Sequence, residues 1–409
     1  MSSVADAQTF DALILNADLR SSLVTVRSLG KRGLHVAAVA TARGAPALSS
    51  RWCERGIVFA ADEAAPEYLD LLEELLQRAS VKVIVSSHDA TIALLRAHRA
   101  RLEEHTRLAL ASEAALTIAV NKEKTMEVAR RLGLRVPREV AVQSASELAG
   151  ALKEIGLPAV TKPSESWVSN GAEGERISPR LVVTADEARD EVERIARFGG
   201  TTLLQQLLTG RREAVSFLYA HGEMHARFAQ WALRTKPSLG GESILRQSIA
   251  IPPDIGEHAE SLVREIDLEG YSEVEFRRDD GGVPHLMEIN ARLSASVGIA
   301  VRAGVDFPVL LYQWALGGPI ARVPGYHIGC WMRHLGGDIE TTIEMLQESD
   351  RPLVTSPPRT ILNFGLSFLK PMSYDYADWG DPLPAIAATT SFVRSFARRA
   401  FARVRREFS

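Results

Sequence analysis

Two glutamates, Glu275 and Glu288, together with Asn290, form the set of residues most suggestive of chemistry in this 409-residue chain. They lie within residues 273–292, Glu-Val-Glu-Phe-Arg-Arg-Asp-Asp-Gly-Gly-Val-Pro-His-Leu-Met-Glu-Ile-Asn-Ala-Arg. Two alternating runs there flank the turn signal Asp279-Asp280-Gly281-Gly282, which predicts a β-hairpin. With Gly281-Gly282 as the turn, Val274 faces Ile289 and Phe276 faces Met287 on an apolar side. The other side collects Glu273, Glu275, Glu288 and Asn290, because side chains alternate along a strand. Glu275 and Glu288 then stand opposite each other, with Cβ atoms roughly 5 Å apart. Like charges that close call for a cation. Two carboxylates and an amide oxygen suit a hard ion such as Mg²⁺, which takes its other ligands from phosphates and water. A slip of one residue would send the glutamates to opposite faces. The alternative is a solvated hairpin whose acids pair with Arg277, Arg278 or Arg292.

The elements that must hold this hairpin belong to a chain long enough for two or three domains. At 46% hydrophobic it can bury a sizeable core. A net charge of -3 gives no nucleic-acid signature and favours small-molecule work. Cys53 and Cys330 are far apart and outside any Cys-x-x-Cys pattern, so neither a zinc site nor a disulfide framework is expected, as suits a reducing cytosol. The opening residues carry Asp6 and no basic segment ahead of an apolar run, so no secretory leader is expected. No apolar run approaches about 18 residues, so no membrane span is expected either.

Residues 11–120 alternate strand and helix patterns. Strands are expected at 12–15, 34–40 and 81–86, and helices at 23–32, 68–78 and 89–104, the last capped by Asp89. The first turn, residues 16–22, lacks Gly-x-Gly-x-x-Gly, which counts against a dinucleotide enzyme. Asp18, Arg20, His88 and Asp89 sit where such loops meet ligands, or else serve as caps and surface groups. Beyond residue 120 come a helix at 121–132, a helix at 145–155, and the strand Ala159-Val160-Thr161-Lys162-Pro163. The polar, glycine-bearing loop 164–175 beside Lys162 can wrap a phosphate or be an ordinary turn. A strand at 180–183, a helix at 185–197 and a strand at 202–206 follow. After them come a hairpin of 214–220 and 225–231, a loop at 235–242, a strand at 245–251 and a helix at 253–268. Past the central hairpin, helices are expected at 295–303 and 308–316.

This order of pieces resembles the ATP-grasp superfamily, in its carbamoyl-phosphate-synthetase-like and carboxylate–amine ligase branch, over roughly residues 10–320. The resemblance rests on Asn121-Lys122, on the strand ending in Lys162, and on Gln205-Gln206-Leu207-Leu208-Thr209-Gly210 with Glu213. It continues through Glu275, Met287-Glu288-Ile289-Asn290-Ala291-Arg292 and Ala303-Gly304-Val305-Asp306-Phe307-Pro308. It implies an α/β, Rossmann-like pre-ATP-grasp domain over 1–120 and a two-lobed α+β ATP-grasp domain over 121–320. The small lobe would cover about 121–204, the large lobe about 205–320, and a C-terminal extension 321–409. It further implies that Lys122 and Lys162 hold ATP phosphates and that loop 164–175 closes over them. Gln206, Leu207 and Leu208 would meet adenine, Glu213 the ribose side, and Glu275, Glu288 and Asn290 would hold Mg²⁺, with Mn²⁺ as a substitute. Arg292 would steady the transferred phosphoryl group. Departures are Gln206 where the family often has Glu, Ala291 for proline, and a bulkier loop containing Trp167.

The activity so implied joins a carboxylate to an amine through an acyl phosphate. Alternatives are a bicarbonate-using carboxylase or carbamoyl-phosphate-type enzyme, and a regulatory protein that binds ATP without turnover. Acceptor recognition is expected from the N-terminal loops, Asp18 and Arg20 included, and from Arg234, Lys236 and Arg246, which can pair with a carboxylate or form surface salt bridges. Residues 350–384 carry six prolines and are expected to wander without regular structure. Residues 391–408 read as a basic amphipathic helix that docks on its own body, lies on an anionic membrane or meets a protein partner, or else as a disordered tail. A cytoplasmic protein, peripheral at the membrane in the second case, and a homodimer as in many proteins of this resemblance complete the expectation.

Overall fold

The computed structural model describes residues 8–407 apart from 64, 165–166, 170–173, 238–240, 350 and 352–353. Side chains of 167–169, 174–176 and 400–407 are also outside the description. The N-terminal part is a five-stranded parallel sheet. Its spatial order is Arg55–Val58, Val36–Ala40, Gln8–Ile14, Ala79–Val85, Arg107–Leu108. Val36–Ala40 is buried along its whole length, as a parallel strand covered on both faces must be. Helices Arg20–Gly30 and Pro66–Arg78 are among its crossovers. The strand order reverses between Gln8–Ile14 and Ala79–Val85, so the loops after these two strands open a crevice of the kind that takes ligands. Asn16, at a left-handed φ of 58°, locks the two loops together. Its amide donates to Thr91 (2.8 Å) and accepts from Ser86 (2.8 Å).

A four-stranded antiparallel sheet follows, in the order Arg180–Val182, Ala159–Pro163, Thr202–Gln206, Glu139–Val142. Helices Leu148–Ile155 and Ala185–Ala196 cover it through a core that includes Val142, Leu148, Ala159, Val192 and Leu204. The third sheet has seven strands, ordered Pro284–Asn290, Gly270–Arg278, Arg212–Ala220, Glu223–Lys236, Glu242–Ile249, Trp331–Arg333, Met372–Tyr374. Helices Glu113–Ala119 and Lys122–Arg131 pack on each other and on the strand Pro284–Asn290. Asn121 caps the second of these helices, accepting from the Lys124 N–H at 3.0 Å.

Several expectations are corrected. The hairpin register holds for Glu273–Asn290, Val274–Ile289 and Glu275–Glu288, but a β-bulge then pairs Phe276 with Leu286 instead of Met287. Leu286 takes the core place, and Met287 turns toward the cleft. Asp89 is not the cap of its helix. His88 holds that position, and the expected single helix is two, Asp89–Ala97 and Arg99–Glu103. The expected loop at 235–242 belongs in part to the strands Glu223–Lys236 and Glu242–Ile249. The expectation for loop 164–175 falls largely outside the described residues.

The proline-rich stretch 350–384 is not irregular. It holds helix Pro357–Leu366 and strand Met372–Tyr374, which adds to the large sheet in parallel with Trp331–Arg333. Three aspartates from this stretch grip the rest of the molecule. Asp375 bonds Arg20 (3.3 Å) and Arg246 (2.5 Å), Asp378 bonds Lys31 (2.7 Å), and Asp381 bonds Arg27 (2.9 Å) and Ser50 (2.7 Å). The terminal helix begins at Leu383, earlier than expected. It docks, with Phe392 lying against Gly336 and Arg399 bonding Glu340. Nothing supports the membrane or protein-contact alternatives, and among the described residues no helix is long and apolar enough to cross a membrane.

Candidate functional site

Adjacent strands build the acidic face. In register, Ala214 stands beside Glu275, which stands beside Glu288, and Ser216 beside Glu273 beside Asn290. The cation that the paired carboxylates call for comes in part from the chain. Arg212, on the neighbouring strand, bonds Glu275 through Nε at 2.9 Å and through Nη2. Sequence reasoning missed this residue, because strand adjacency is not visible in the hairpin alone. Burial pushes Glu275 well above the usual carboxylate range; Glu288 and Glu273 add to this, while Arg212 opposes. Glu288 is also penalised by burial, but Lys122, Arg212, Lys162 and Arg292 outweigh that and hold it below its ordinary value. Of the facing pair, Glu288 is therefore the more readily ionised.

Asn290 donates its amide nitrogen to Glu275 at 3.1 Å, which turns its oxygen away from that carboxylate. Among the described residues there is no cluster of three or more His, Cys, Asp or Glu able to hold a metal alone. Two carboxylates and one amide oxygen nonetheless fit Mg²⁺, which is commonly held by one or two carboxylates plus phosphates and water. Glu273 is distinct from these two. It accepts Ser216 (3.2 Å), Gln230 (2.8 Å), Ser294 (3.0 Å) and Ser296 (3.2 Å), so it is satisfied by neutral donors.

Lys122 and Lys162 meet at the opposite wall of a cleft of about 380 Å³ that also contains Arg212, Glu275, Glu288, Asn290 and Arg292. The Lys122 N–H donates to the Ser164 carbonyl (3.0 Å), which ties one lysine's helix to the end of the other's strand. Burial, joined by Lys122, pushes the Lys162 ammonium down to about 8 against the pull of Glu139 and Glu288. Beside the cleft lies a smaller cavity of about 80 Å³, lined by Val160, Gln205, Gln206, Leu207, Leu208 and the bulge residue Met287. The Gln206 side chain is held by Arg138 (3.2 Å), whereas the buried Gln205 Oε1 has no partner among the described residues.

A third pocket, about 170 Å³, sits at the crevice of the parallel sheet and is lined by Asp18, Arg20, His88, Asp89, Glu242, Arg292, His334 and Tyr376. Arg292 bonds Asp89 there (Nη2 to Oδ2, 3.1 Å), and Arg20 bonds Glu242 (2.8 Å). Burial pushes the His334 imidazole down to about 4, with Arg20 and Arg246 adding to the effect, so it is neutral at pH 7.

Other expected site residues are elsewhere. Glu213 is buried between Arg278 (2.7 Å) and Arg211 (3.3 Å) and lines none of these cavities. Arg234 bonds Asp338 through two nitrogens (2.7 and 2.6 Å). Arg246 is 0% exposed against Asp375, so neither arginine is placed to meet a substrate carboxylate. Of that trio only Lys236 reaches the cleft, and it bonds Glu340.

In this arrangement a glutamate pair on a sheet face is opposed by Lys162 on the smaller antiparallel sheet and by Lys122 at the start of a helix. A family model described as ATP-grasp in the biosynthetic pathway with Ter operon matches residues 200–336, and the chain carries an ATP-grasp domain. It is 26% identical over 216 residues to the D-alanine–D-alanine ligase of Xanthomonas axonopodis pv. citri, a match covering 48% of this chain and 64% of that relative. The chain thus spans less than two thirds of that ligase's length. The fold is shared with a biotin carboxylase–β,γ-ATP complex from Campylobacter jejuni. That likeness has a TM-score of 0.64 at 16% identity, covering 79% of this chain and 74% of that one. It is shared too with an ADP complex of N5-carboxyaminoimidazole ribonucleotide synthetase, at a TM-score of 0.59 and 17% identity over 83% of this chain and 86% of that one.

Proposed function

We propose that the chain is an ATP-dependent ligase that joins a carboxylate to an amine through an acyl phosphate. The observation that carries this reading is the continuity of the three cavities. Lys162, Arg212, Glu275 and Glu288 line both the smallest cavity and the cleft, and Glu242, Arg292 and Ala295 line both the cleft and the crevice pocket. A nucleotide with its base among Val160, Leu208 and Met287 would therefore direct its terminal phosphate at whatever occupies the crevice.

In this reading residues 1–120 are a Rossmann-like pre-ATP-grasp domain that supplies one wall of the acceptor pocket. Residues 121–204 and 205–320 are the two lobes around the nucleotide. Gln206 to Leu208 lie along the base, and Gln205 Oε1 accepts from an exocyclic amine. Lys122 and Lys162 offset phosphate charge, which is most of what phosphoryl transfer asks of a protein. Glu275, Glu288 and Asn290 would hold Mg²⁺, which when bound neutralises phosphate oxygens as a Lewis acid. Arg292, oriented by Asp89, faces both cleft and crevice, where it steadies the phosphoryl group as it passes to the carboxylate. The amine attacks the acyl carbon and phosphate leaves. Neutral His334 and the acids Asp18 and Glu242 make the crevice polar enough to hold a small charged head group.

A screen of ADP and phosphate release across pairs of carboxylates and amines, with mass spectrometry of products, tests the proposal. Release that needs both partners and matches a new amide one to one is expected. Release driven by bicarbonate alone would overturn it. Lys162 gives a second test. Its ammonium loses its proton above about pH 8 in the free protein, so KM for ATP should rise between pH 7 and pH 9.5. Lys162→Arg keeps its charge over that range and should flatten the rise. Superimposable pH profiles would remove Lys162 from the phosphate site.

A further inference from the structure

The crevice pocket does not end at the reaction centre. Asp18, His334 and Tyr376 line it and also line a groove of about 1270 Å³ that runs beneath the terminal helix Leu383–Glu407. Pockets for drug-sized ligands run to roughly 300–1,000 Å³, so this space far exceeds what a single amino acid fills. One wall is the loop after strand Val36–Ala40, with Ala45 and Pro46; the other includes Leu335, Ile339, Tyr374 and Phe392. Besides Arg399, which is taken up by Glu340, three exposed arginines line the same groove, Arg43 from the first wall and Arg394 and Arg398 from the helix. None of the three forms an ion pair among the described residues. The groove's own acids offer little counter-charge: Asp375 is already held by Arg20 and Arg246, and Asp18 lies at the throat.

We propose that this groove is an extended subsite for an elongated substrate whose reacting head enters the crevice, whose apolar body lies along the groove, and whose distal end carries a carboxylate or phosphate held by Arg43, Arg394 and Arg398. The inference rests on the ligase reading for which end reacts. The apolar walls exclude water from the body of such a ligand, and arginine pairs with planar or tetrahedral oxyanions through two nitrogens at once. A single exposed pair contributes little. Guanidinium groups on both walls of one groove, beside an apolar surface, make discrimination of an acidic from a neutral end the expected signature.

Calorimetric titration of the full-length protein with Mg²⁺ and a non-hydrolysable ATP analogue tests this without requiring turnover. The probes are Gly-Leu-Glu, its neutral twin Gly-Leu-Gln-amide, and Gly-Leu-phosphoserine. An acidic tripeptide should bind at least tenfold more tightly than the neutral twin, and the better acid shows whether carboxylate or phosphate is preferred. In Arg394→Glu/Arg398→Glu that ratio should fall to about one while affinity for the neutral twin is kept. Arg43→Glu, on the opposite wall, should do the same and guards against a local effect on the helix. Equal affinity of acidic and neutral probes in the unaltered protein, or a ratio untouched by both variants, would overturn the proposal. Absence of ADP release with every substrate pair would count against the ligase reading alone, because the binding ratio is read independently. ADP release with glycine but no discrimination between tripeptides would sink the groove alone.

Discussion

Glu288→Gln should fold as the unaltered protein does and lose about three orders of magnitude in ATP turnover. The substitution keeps shape and removes one negative charge from a carboxylate that four cations, Lys122, Arg212, Lys162 and Arg292, keep ionised. Its loss leaves those cations facing one another across a cleft open to water, a cost of about 1 kcal/mol, so the thermal midpoint should move by only a few degrees. The catalytic cost is larger, because a metal clamp on transferring phosphate is worth several kcal/mol and each 1.4 kcal/mol is about tenfold in rate. Initial rates of ADP formation at saturating Mg²⁺ give the first readout, and Mg²⁺-dependent nucleotide affinity gives the second. Turnover at the unaltered rate would refute the metal assignment. Glu275→Gln is the less telling variant, since burial already holds Glu275 toward its neutral form.

The second large effect concerns stability. Arg246 and Asp375 are 0% and 1% exposed, and Nη1 and Nη2 of the arginine reach the two carboxylate oxygens at 3.1 and 2.5 Å. Removing one member of such a pair under-compensates the other charge in a dry interior, here leaving Asp375 with Arg20 at 3.3 Å, a cost toward the lower end of about 3–5 kcal/mol. Arg246→Ala should therefore lower the thermal midpoint by roughly 5–15 °C. Any protein that remains folded should keep its KM for ATP and for substrates. A raised substrate KM with an unchanged midpoint would instead return Arg246 to substrate recognition, as the sequence alone suggested. The pair also sets an acid limit. Burial raises the Asp375 carboxyl, but Arg246 and Arg20 outweigh it and hold it far below its ordinary value. The stabilisation is therefore fully present above the unfolded value, about pH 4, and drains away as pH falls toward the folded one. Asp375→Asn should flatten that acid limb, read as thermal midpoint against pH from 6 down to 3.

The contrast between these two sites shows what a sequence makes legible. The facing of Glu275 and Glu288 was readable because a hairpin is local and its period of two is printed in the residues. Lys162 at a strand end was readable for the same reason. Met287 was misplaced because a bulge shifts register without altering composition. Arg212 could not be found, since its pairing with Glu275 depends on which strand lies beside the hairpin in space. Arg246 looked like a free cation until a partner more than a hundred residues away closed over it. The stretch 350–384 was misread because its prolines suggested breakage. Pro357 and Pro358 instead occupy the first turn of a helix, where the missing N–H costs nothing and the fixed φ helps.

The aspartates at 375, 378 and 381 work as a clasp. Within a few residues they engage Arg246 on the large sheet and Arg20, Arg27 and Lys31 along the first helix, at opposite ends of the chain's order. The family match stops short of this stretch, at residue 336. A fragment trimmed to that boundary would keep the nucleotide face yet uncover three buried cations, Arg20, Arg27 and Arg246, in a seam built to be dry. The recognisable module is in this sense not a separable part: its outer sheet edge and its neighbour's first helix are closed by one borrowed ribbon of acid.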